Sequence, residues 1–404
     1  MISDDRIILG LLAALLAFVF FTREREGWKK FYVFVPIILV CYLVPSLLVT
    51  TGFVDASESQ LWPVAKDYFL PAALFLMTLS IDMKGILGLG SKALIMFLTA
   101  TVGIVLGGPI ALFIVAQFEP SIIGSGQDAA WRGLATLAGS WIGGGANQTA
   151  MLEVYGYPIE GFSALLAVDI IVAEIWMIFL LYGAGASERV DRWLGADSSA
   201  IDRLRDKMAD YSSSIERVAT ANDYVLLFGG TFAVVGLSHL AGGWLGGVFA
   251  GLWGEEATLA SEFFWVVVLT TTAGLLASFT RVRELEGIGA SKFGTVFIFL
   301  LVAIIGTRMD VTKIADAPAF MAIGAIWMLF HVVLLLVVAK LIKAPFFFVA
   351  VGSKANVGGA ASAPVVAAAF HPALAPVGVL LAVLGYALGT YGAILCAQMM
   401  AAVG

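Results

Sequence analysis

The chain has 404 residues, of which 60% are hydrophobic and 13% charged, with a mean hydropathy of +0.97 and a formal net charge of −6. Soluble domains are about half apolar and a quarter charged, so this composition excludes a soluble globule and indicates a polytopic membrane protein. The basic residues form no nucleic-acid-binding cluster, so no nucleic-acid partner is expected. The expected surroundings are a lipid bilayer, with the bacterial inner (plasma) membrane as the location.

Ten apolar runs have the composition of membrane helices. Eight are long enough to span a bilayer, and two shorter ones span it only where the bilayer thins or neighbouring helices shield their ends. The eight cover 7–21, 31–53, 93–117, 162–184, 223–249, 262–280, 318–340 and 374–402, and the shorter two cover 68–82 and 293–308. The sequence therefore predicts an all-α fold with about ten transmembrane helices.

Two glycine-containing stretches interrupt this pattern. "GSWIGGGANQTAM" lies within 131–158, and "GSKANVGGAASAPVV" lies within 344–373. Glycine destabilises a helix, and non-helical backbone at membrane depth must be buried in protein or line a cavity. We therefore expect two broken elements that offer backbone amides and carbonyls to a ligand. They are either re-entrant hairpins or crossed discontinuous helices.

The two halves of the chain share an order of elements. "IDMKGI" follows the first short apolar run and "MDVTKI" follows the second, while "LLAV" begins at Leu165 and again at Leu380, after each glycine stretch. The sequence predicts a first repeat over 1–184, a polar cytoplasmic linker over 185–222 and a second repeat over 223–404. Transport and scaffold domains are each expected to take elements from both repeats.

The distribution of positive charge favours hairpins over crossing segments. If both glycine stretches enter and leave the membrane on one side, 17 of the 23 lysines and arginines fall in the cytoplasm, as the positive-inside rule requires. If the first stretch crosses, only 8 do. The hairpin topology also places the two halves in opposite orientations. Inverted repeats with paired broken elements are typical of secondary transporters.

The whole sequence, with "GSWIGGGANQTAM", "GSKANVGG" and "LPAALFLMTLSIDMKGIL", resembles the bacterial and plant membrane family labelled domain of unknown function 819. Its plan is more distantly similar to the sodium-coupled glutamate and citrate symporters and to the bile-acid sodium symporters. That resemblance implies an elevator, in which a transport domain holding the broken elements slides against a fixed scaffold. It also implies a homodimer, for which we expect parts of 31–53 and 223–249 at the interface.

Polar side chains flank both glycine breaks, and others lie in the last apolar helix. Neutral oxygens of this kind suit a sodium ion or the hydroxyls and carboxylates of a small solute. The predicted substrate site comprises Ser140, Asn147, Gln148, Thr149, Ser353, Lys354, Asn356, Ser362, Thr390 and Tyr391.

Two carboxylates, Asp169 and Glu174, lie in the apolar helix after the first glycine stretch. Because intramembrane carboxylates are costly and mark functional sites by default, these are the predicted ion-coupling groups, together with Asn147 and Thr149. Their spacing places them about 140° apart on a helix, so we expect only one to face the ligand. Lys354 has several interpretations: it binds a substrate carboxylate, pairs with a carboxylate, acts as a proton-linked group, or snorkels to the cytoplasm.

The predicted function is secondary active transport of a small polar or anionic organic solute, of the amino-acid, carboxylate or small-peptide class. No P-loop of the form GxxxxGK[ST] occurs, so ATP is not the expected energy source. Neutral oxygens at the breaks favour sodium as the coupling ion, with a proton as the alternative. An ion channel is a further alternative, since broken helices also build selectivity filters. Neither an enzyme, an organic cofactor nor a further metal site is expected.

Overall fold

The computed structural model describes residues 1–28, 31–32, 35, 37–196, 201, 204, 218–255, 257–309, 318–371 and 374–403. Within them the protein is helical, apart from one isolated bridge between Ile2 and Val54. The principal helices are α1 (Asp5–Arg23), α2 (Ile37–Thr50), α3 (Leu70–Leu79), α4 (Ser91–Ala116), α5 (Ala130–Tyr155), α6 (Ile159–Gly185), α7 (Ser187–Leu194), α8 (Ala221–Trp253), α9 (Glu262–Ala277), α10 (Ala290–Gly306), α11 (Pro318–Ile342), α12 (Phe346–Asn356), α13 (Gly359–Phe370) and α14 (Ala375–Ala401).

Each of the ten predicted apolar runs overlaps one of these helices. In the described residues, six helices are long and apolar enough to cross a membrane, namely α1, α4, α6, α8, α11 and α14, and a seventh span results if α9 is joined to the bent segment Arg281–Ile288. The number is below ten because α2, α3, α9 and α10 have only 14, 10, 16 and 17 residues. Helices α2 and α10 are nevertheless apolar.

The described helices pack as two groups. In the first group, α9 and α10 both lie along α3, α8 lies along α9, and α1 and α2 contact α10. In the second, α4 pairs with α11 and α12, and α14 contacts α5, α12 and α13. Each group takes helices from both sides of the polar segment that follows α7.

Glycines on α4 allow a very close approach by α11. A Cβ on Gly103 would lie 3.1 Å from His331 Nδ1, and one on Gly107 would lie 2.5 Å from Trp327 Cδ1. Larger residues at these positions would push the two helices apart, because packed interiors leave no free volume. Large apolar side chains on α8, such as Leu240 and Trp244, are instead exposed, as on a surface that faces lipid.

Two parts of the predicted repeat pattern lie outside the described residues. The linker predicted over 185–222 is described in α7 and its flanks, whereas 197–200, 202–203 and 205–217 are not described. Residues 310–317, which include most of "MDVTKI", are not described either.

Candidate functional site

The first glycine stretch folds back on itself at Gly144, which has φ 72° and ψ −169°. Arg132 Nη1, near the start of α5, donates a hydrogen bond to the carbonyl of Tyr155 at its end, at 2.6 Å. In a straight helix these two residues would be about 34 Å apart at 1.5 Å per residue. A Cβ on Gly139 would lie 2.6 Å from the carbonyl oxygen of Asn147. The two arms therefore lie side by side, and α5 is hereafter called hairpin 1.

The second glycine stretch is also a hairpin, formed by α12 and α13 and called hairpin 2. The ring of Phe370, at its end, lies 6.1 Å from that of Phe346 and 5.3 Å from that of Phe347, at its start. The turn uses Gly358 at φ 117° and Gly359 at φ 58°, conformations that residues with a side chain rarely adopt. Of the two arrangements left open by the sequence, both stretches adopt the hairpin.

Helix α7 holds the start of hairpin 2. Asp191 Oδ1 accepts a hydrogen bond from the backbone N–H of Phe346 at 2.7 Å. Partial burial raises the pKa of the Asp191 carboxyl, and the hydrogen bond from Phe346 opposes that rise. The polar segment after α6 is thus attached directly to the second broken element.

The tips of the two hairpins meet on α14. A Cβ on Gly385 would lie 2.7 Å from the carbonyl oxygen of Ile142 in hairpin 1 and 3.3 Å from that of Ala355 in hairpin 2. The next residue, Tyr386, is buried, and its Cε1 lies within about van der Waals distance of Cβ positions built on the glycine turns of both hairpins. Two interruptions about 210 residues apart in sequence therefore converge at one place in the fold.

Asn147 links the tip of hairpin 1 to α14. Its Nδ2 donates to the carbonyls of Gly143 at 3.1 Å and Tyr386 at 3.0 Å. Its Oδ1 accepts from Thr390 Oγ1 at 2.6 Å, and that hydroxyl lies 3.2 Å from the hydroxyl of Thr271 on α9. Asn147 and Thr390 are fully buried, so this predicted pair is part of a closed hydrogen-bond network.

Asn356 makes the equivalent set of contacts in hairpin 2, but with α4. Its Nδ2 donates to the carbonyls of Gly352 at 3.0 Å and Phe97 at 3.2 Å. Its Oδ1 accepts from Thr101 Oγ1 at 2.8 Å. In both hairpins the asparagine thus binds the carbonyl four residues earlier, a carbonyl of a neighbouring helix, and a threonine one turn further along that helix.

Asp169 on α6 lies beside hairpin 1 and is 7% exposed. Its Oδ2 accepts hydrogen bonds from Ser140 Oγ at 2.6 Å and Gln148 Nε2 at 2.9 Å. Its Oδ1 accepts from Trp141 Nε1 at 2.7 Å. All three donors are neutral, and no described cationic side chain lies within 4.0 Å of the carboxylate oxygens. The structure thus places two predicted residues, Ser140 and Gln148, against a predicted carboxylate that has no ion-pair partner in the described part of the chain.

Lys354 belongs to the tip of hairpin 2 and is 1% exposed. Its Nζ donates to the backbone carbonyl of Ala173 on α6 at 3.1 Å. It interacts electrostatically with Glu174 and Asp169, but neither carboxylate is within ion-pair distance in the described structure. Glu174 is half-buried. The lysine therefore does not extend to the surface.

Ser353 contacts two residues that the sequence analysis did not select. Its Oγ accepts from Trp176 Nε1 at 2.8 Å and lies 2.8 Å from His331 Nε2. His331 Nδ1 lies 3.1 Å from the carbonyl of Ala100, which only accepts hydrogen bonds. A neutral histidine with its proton on Nδ1 satisfies both contacts, and Ser353 then donates to Nε2. A lone histidine in an apolar run gave no signal for this role.

Three predicted residues are placed outside these networks. Thr149 Oγ1 donates to the carbonyl of Gly145 within its own helix at 3.0 Å. Tyr391 is 37% exposed and its hydroxyl lies 2.7 Å from that of Thr272 on α9. Ser362 Oγ is buried without a hydrogen-bond partner among the described residues. In the same residues no cluster of three His, Cys, Asp or Glu side chains is arranged to hold a metal ion.

Comparison with known proteins gives a full-length match. A family model described as a protein of unknown function, DUF819, matches residues 10–403. An uncharacterized membrane protein of Bacillus subtilis (strain 168), YjcL, is 25% identical over 395 residues, which is 96% of this chain and 95% of that protein. Both hairpins and every helix that contacts them lie within the family match, and neither description names a solute or an ion.

Proposed function

The chain belongs to the DUF819 family, and for this membrane protein we propose secondary active transport of a small polar or anionic organic solute, coupled to sodium. The observation that carries the proposal is the meeting of two glycine-broken hairpin tips at Gly385, with buried polar side chains on both. Broken backbone at membrane depth exposes unpaired amides and carbonyls, and secondary transporters use such pairs to form one central site.

We further propose an elevator-type movement. The group of α4, α6, α11, α14 and the two hairpins would be the transport domain, and the group of α1, α2, α3, α8, α9 and α10 would be the scaffold. The contacts within each group are more extensive than those between them, which is what a sliding boundary requires. The exposed apolar surface of α8 suits a lipid-facing or homodimeric position for the scaffold.

Asp169 is the proposed ion-coupling residue. The hydrogen bonds to its buried carboxylate all come from neutral donors, and no described cation lies within ion-pair distance, so its negative charge remains available to a mobile cation. Sodium prefers several oxygen ligands, and Ser140 and Gln148 supply side-chain oxygens next to the carboxylate. A proton is the alternative, since protonation of Asp169 would also neutralise the charge.

Sodium-22 binding to the purified protein in lipid nanodiscs tests the coupling ion. We expect saturable binding in the native protein and its loss in Asp169→Asn. Glu160→Gln is the matched control, because Glu160 lies on the same helix but is exposed, and its binding curve should be unchanged.

Proteoliposome currents test the transport class. An inward sodium gradient should support currents on addition of members of a panel of amino acids, carboxylates and dipeptides. If the currents persist without sodium but vanish when the proton gradient is dissipated, protons are the coupling ion. Unitary conductance events in planar bilayers, without solute accumulation, would instead identify a channel and refute the carrier.

A further inference from the structure

We propose that the tip of hairpin 2 contains a subsite for one carboxylate group, formed by Lys354 Nζ, Ser362 Oγ and the first backbone N–H groups of α13. The inference rests on the proposed transport function and deepens it, because it assigns the negatively charged end of the solute to a defined part of the site.

The first reason is the hydrogen-bonding capacity of Lys354. An ammonium group has three donors, and the described structure gives Nζ one acceptor, the carbonyl of Ala173. The side chain is 1% exposed, so bulk water does not satisfy the other two. Glu174 and Asp169 interact with this ammonium only from beyond ion-pair distance in the described structure, so a bound anion would supply the close counter-charge that a buried ion requires.

The second reason is an unsatisfied hydroxyl beside the same space. A Cβ built on Gly358 would lie 2.3 Å from Ser362 Oγ and 3.2 Å from Lys354 Nζ, so both groups border the position where Gly358 has no side chain. Ser362 Oγ is buried and has no described partner. Buried hydroxyls without partners are rare in native proteins, and an absent ligand is one explanation for them.

The third reason is the helix that begins at this point. Helix α13 starts at Gly359 and has 12 residues, and its first N–H groups have no acceptor within the helix. The amino terminus of a helix carries partial positive charge and favours anions. The ammonium, the hydroxyl and the helix terminus thus supply donors of one electrostatic sign around one small space. Two carboxylate oxygens accept the hydrogen bonds that these groups offer.

Carboxylate binding is tested with the full-length protein in nanodiscs, in saturating sodium and without any gradient. The probes are acetate, pyruvate and L-alanine, with sodium chloride at equal ionic strength as the salt control and inorganic phosphate as a second anion. We expect one or more of the carboxylate probes to raise the thermal unfolding midpoint, giving an apparent Kd.

Two variants remove the proposed donors. Lys354→Met should weaken carboxylate binding roughly 10- to 100-fold, since a hydrogen bond to a charged group is lost. Ser362→Ala should weaken it roughly tenfold without harming the fold, because its hydroxyl has no partner to lose among the described residues. The matched controls are Lys92→Met and Ser163→Ala. Lys92 is a half-buried lysine that donates to the Lys343 carbonyl. Ser163 lies on α6, and its buried hydroxyl also lacks a described partner.

The outcomes separate this subsite from transport itself. Equal carboxylate affinity in the native protein and both variants, or no response to any carboxylate, overturns the subsite even if neutral solutes are taken up with sodium. A response to phosphate alone also overturns it. Carboxylate binding that depends on Lys354 and Ser362, in a protein that accumulates no solute, supports the subsite and refutes only the transport proposal.

Discussion

Replacing Gly385 with alanine tests whether the contact of the hairpin tips with α14 determines function. The added Cβ would lie 2.7 Å from the Ile142 carbonyl oxygen and 3.3 Å from that of Ala355. Contacts of this kind are optimal near 3.5 Å, so the Ile142 carbonyl must retreat by about 0.8 Å. Both atoms belong to backbone next to the hairpin turns, and neither moves without displacing its hairpin.

Two opposing terms set the size of the effect. Overpacking a buried site costs about 1–3 kcal/mol, whereas alanine in place of glycine stabilises a helix by about 1 kcal/mol. The net loss for Gly385→Ala is therefore about 0–2 kcal/mol. Gly236→Ala on α8 is the control, because a Cβ there meets nothing within 4 Å. It should show only the gain of about 1 kcal/mol, so the two variants should differ by about 1–3 kcal/mol.

Reversible unfolding in mixed detergent micelles measures the free energy of unfolding, and sodium-22 binding gives the functional effect. We expect Gly385→Ala to lose more sodium affinity than its small loss of stability would explain. The carbonyl that must move is that of Ile142, which lies just before the turn of hairpin 1 and close to Asp169. Gly236→Ala should bind sodium normally. Native sodium affinity in a folded Gly385→Ala protein would refute the argument that the meeting point of the tips is the functional centre.

Four further predictions follow from individual contacts. His331→Phe should reduce the free energy of unfolding in mixed micelles by about 1–3 kcal/mol, since it removes the acceptor of the buried Ser353 hydroxyl proton and a contact to the Ala100 carbonyl. Thr390→Val and Thr101→Val should each lower the free energy of unfolding, measured in mixed micelles, by about 1–3 kcal/mol. Because the two threonines share no partner, the losses should add to within about 0.5 kcal/mol in the double variant. Strong coupling between them would contradict two separate networks. Asp191→Asn should equal or exceed the native stability at pH 7. The raised pKa of this carboxyl means that its ionised form is disfavoured by folding, so the advantage should vanish below pH 3.8, its unfolded pKa. A cysteine replacing exposed Glu188 should react with an impermeant maleimide only from the cytoplasmic side, against low background from two buried native cysteines.

Hydrophobic run length was sufficient to place the helices but not to decide how the broken elements fold. The ten apolar runs each overlap a helix in the structure, because every spanning element must satisfy its backbone internally. The turn in hairpin 1 requires the φ of 72° at Gly144. "GGG" allows that conformation without requiring it, so the sequence left hairpin and crossing alternatives open. Contacts such as Arg132 with the Tyr155 carbonyl, 23 residues away, decide between them.

The polar residues of the site were predictable because each is costly in an apolar environment. Asp169, Asn147 and Asn356 stand out from their surroundings, and all three lie in buried networks. The aromatic residues that complete those networks were not predicted. Trp141 donates to Asp169, and Tyr386 lies between the hairpin turns. In a sequence, a tryptophan or tyrosine within an apolar run gives the same pattern whether or not its N–H or O–H binds a residue of the site.

The two hairpins differ in the charges that they carry, which supports the proposal that each binds a different ligand. Their asparagines make matching contacts, which fix each tip to a neighbouring helix, so the tips share a structural role. The charges differ: hairpin 1 donates only neutral hydrogen bonds to Asp169, whereas hairpin 2 carries Lys354 beside an unsatisfied hydroxyl. An anionic carboxylate attracts a cation, and a buried ammonium attracts an anion. If both tips meet at Gly385, binding at one can position the other through the shared backbone contact. Coupling of ion and solute then requires no ligand that bridges them, and the reduced sodium affinity that Gly385→Ala retains should no longer rise when a carboxylate binds.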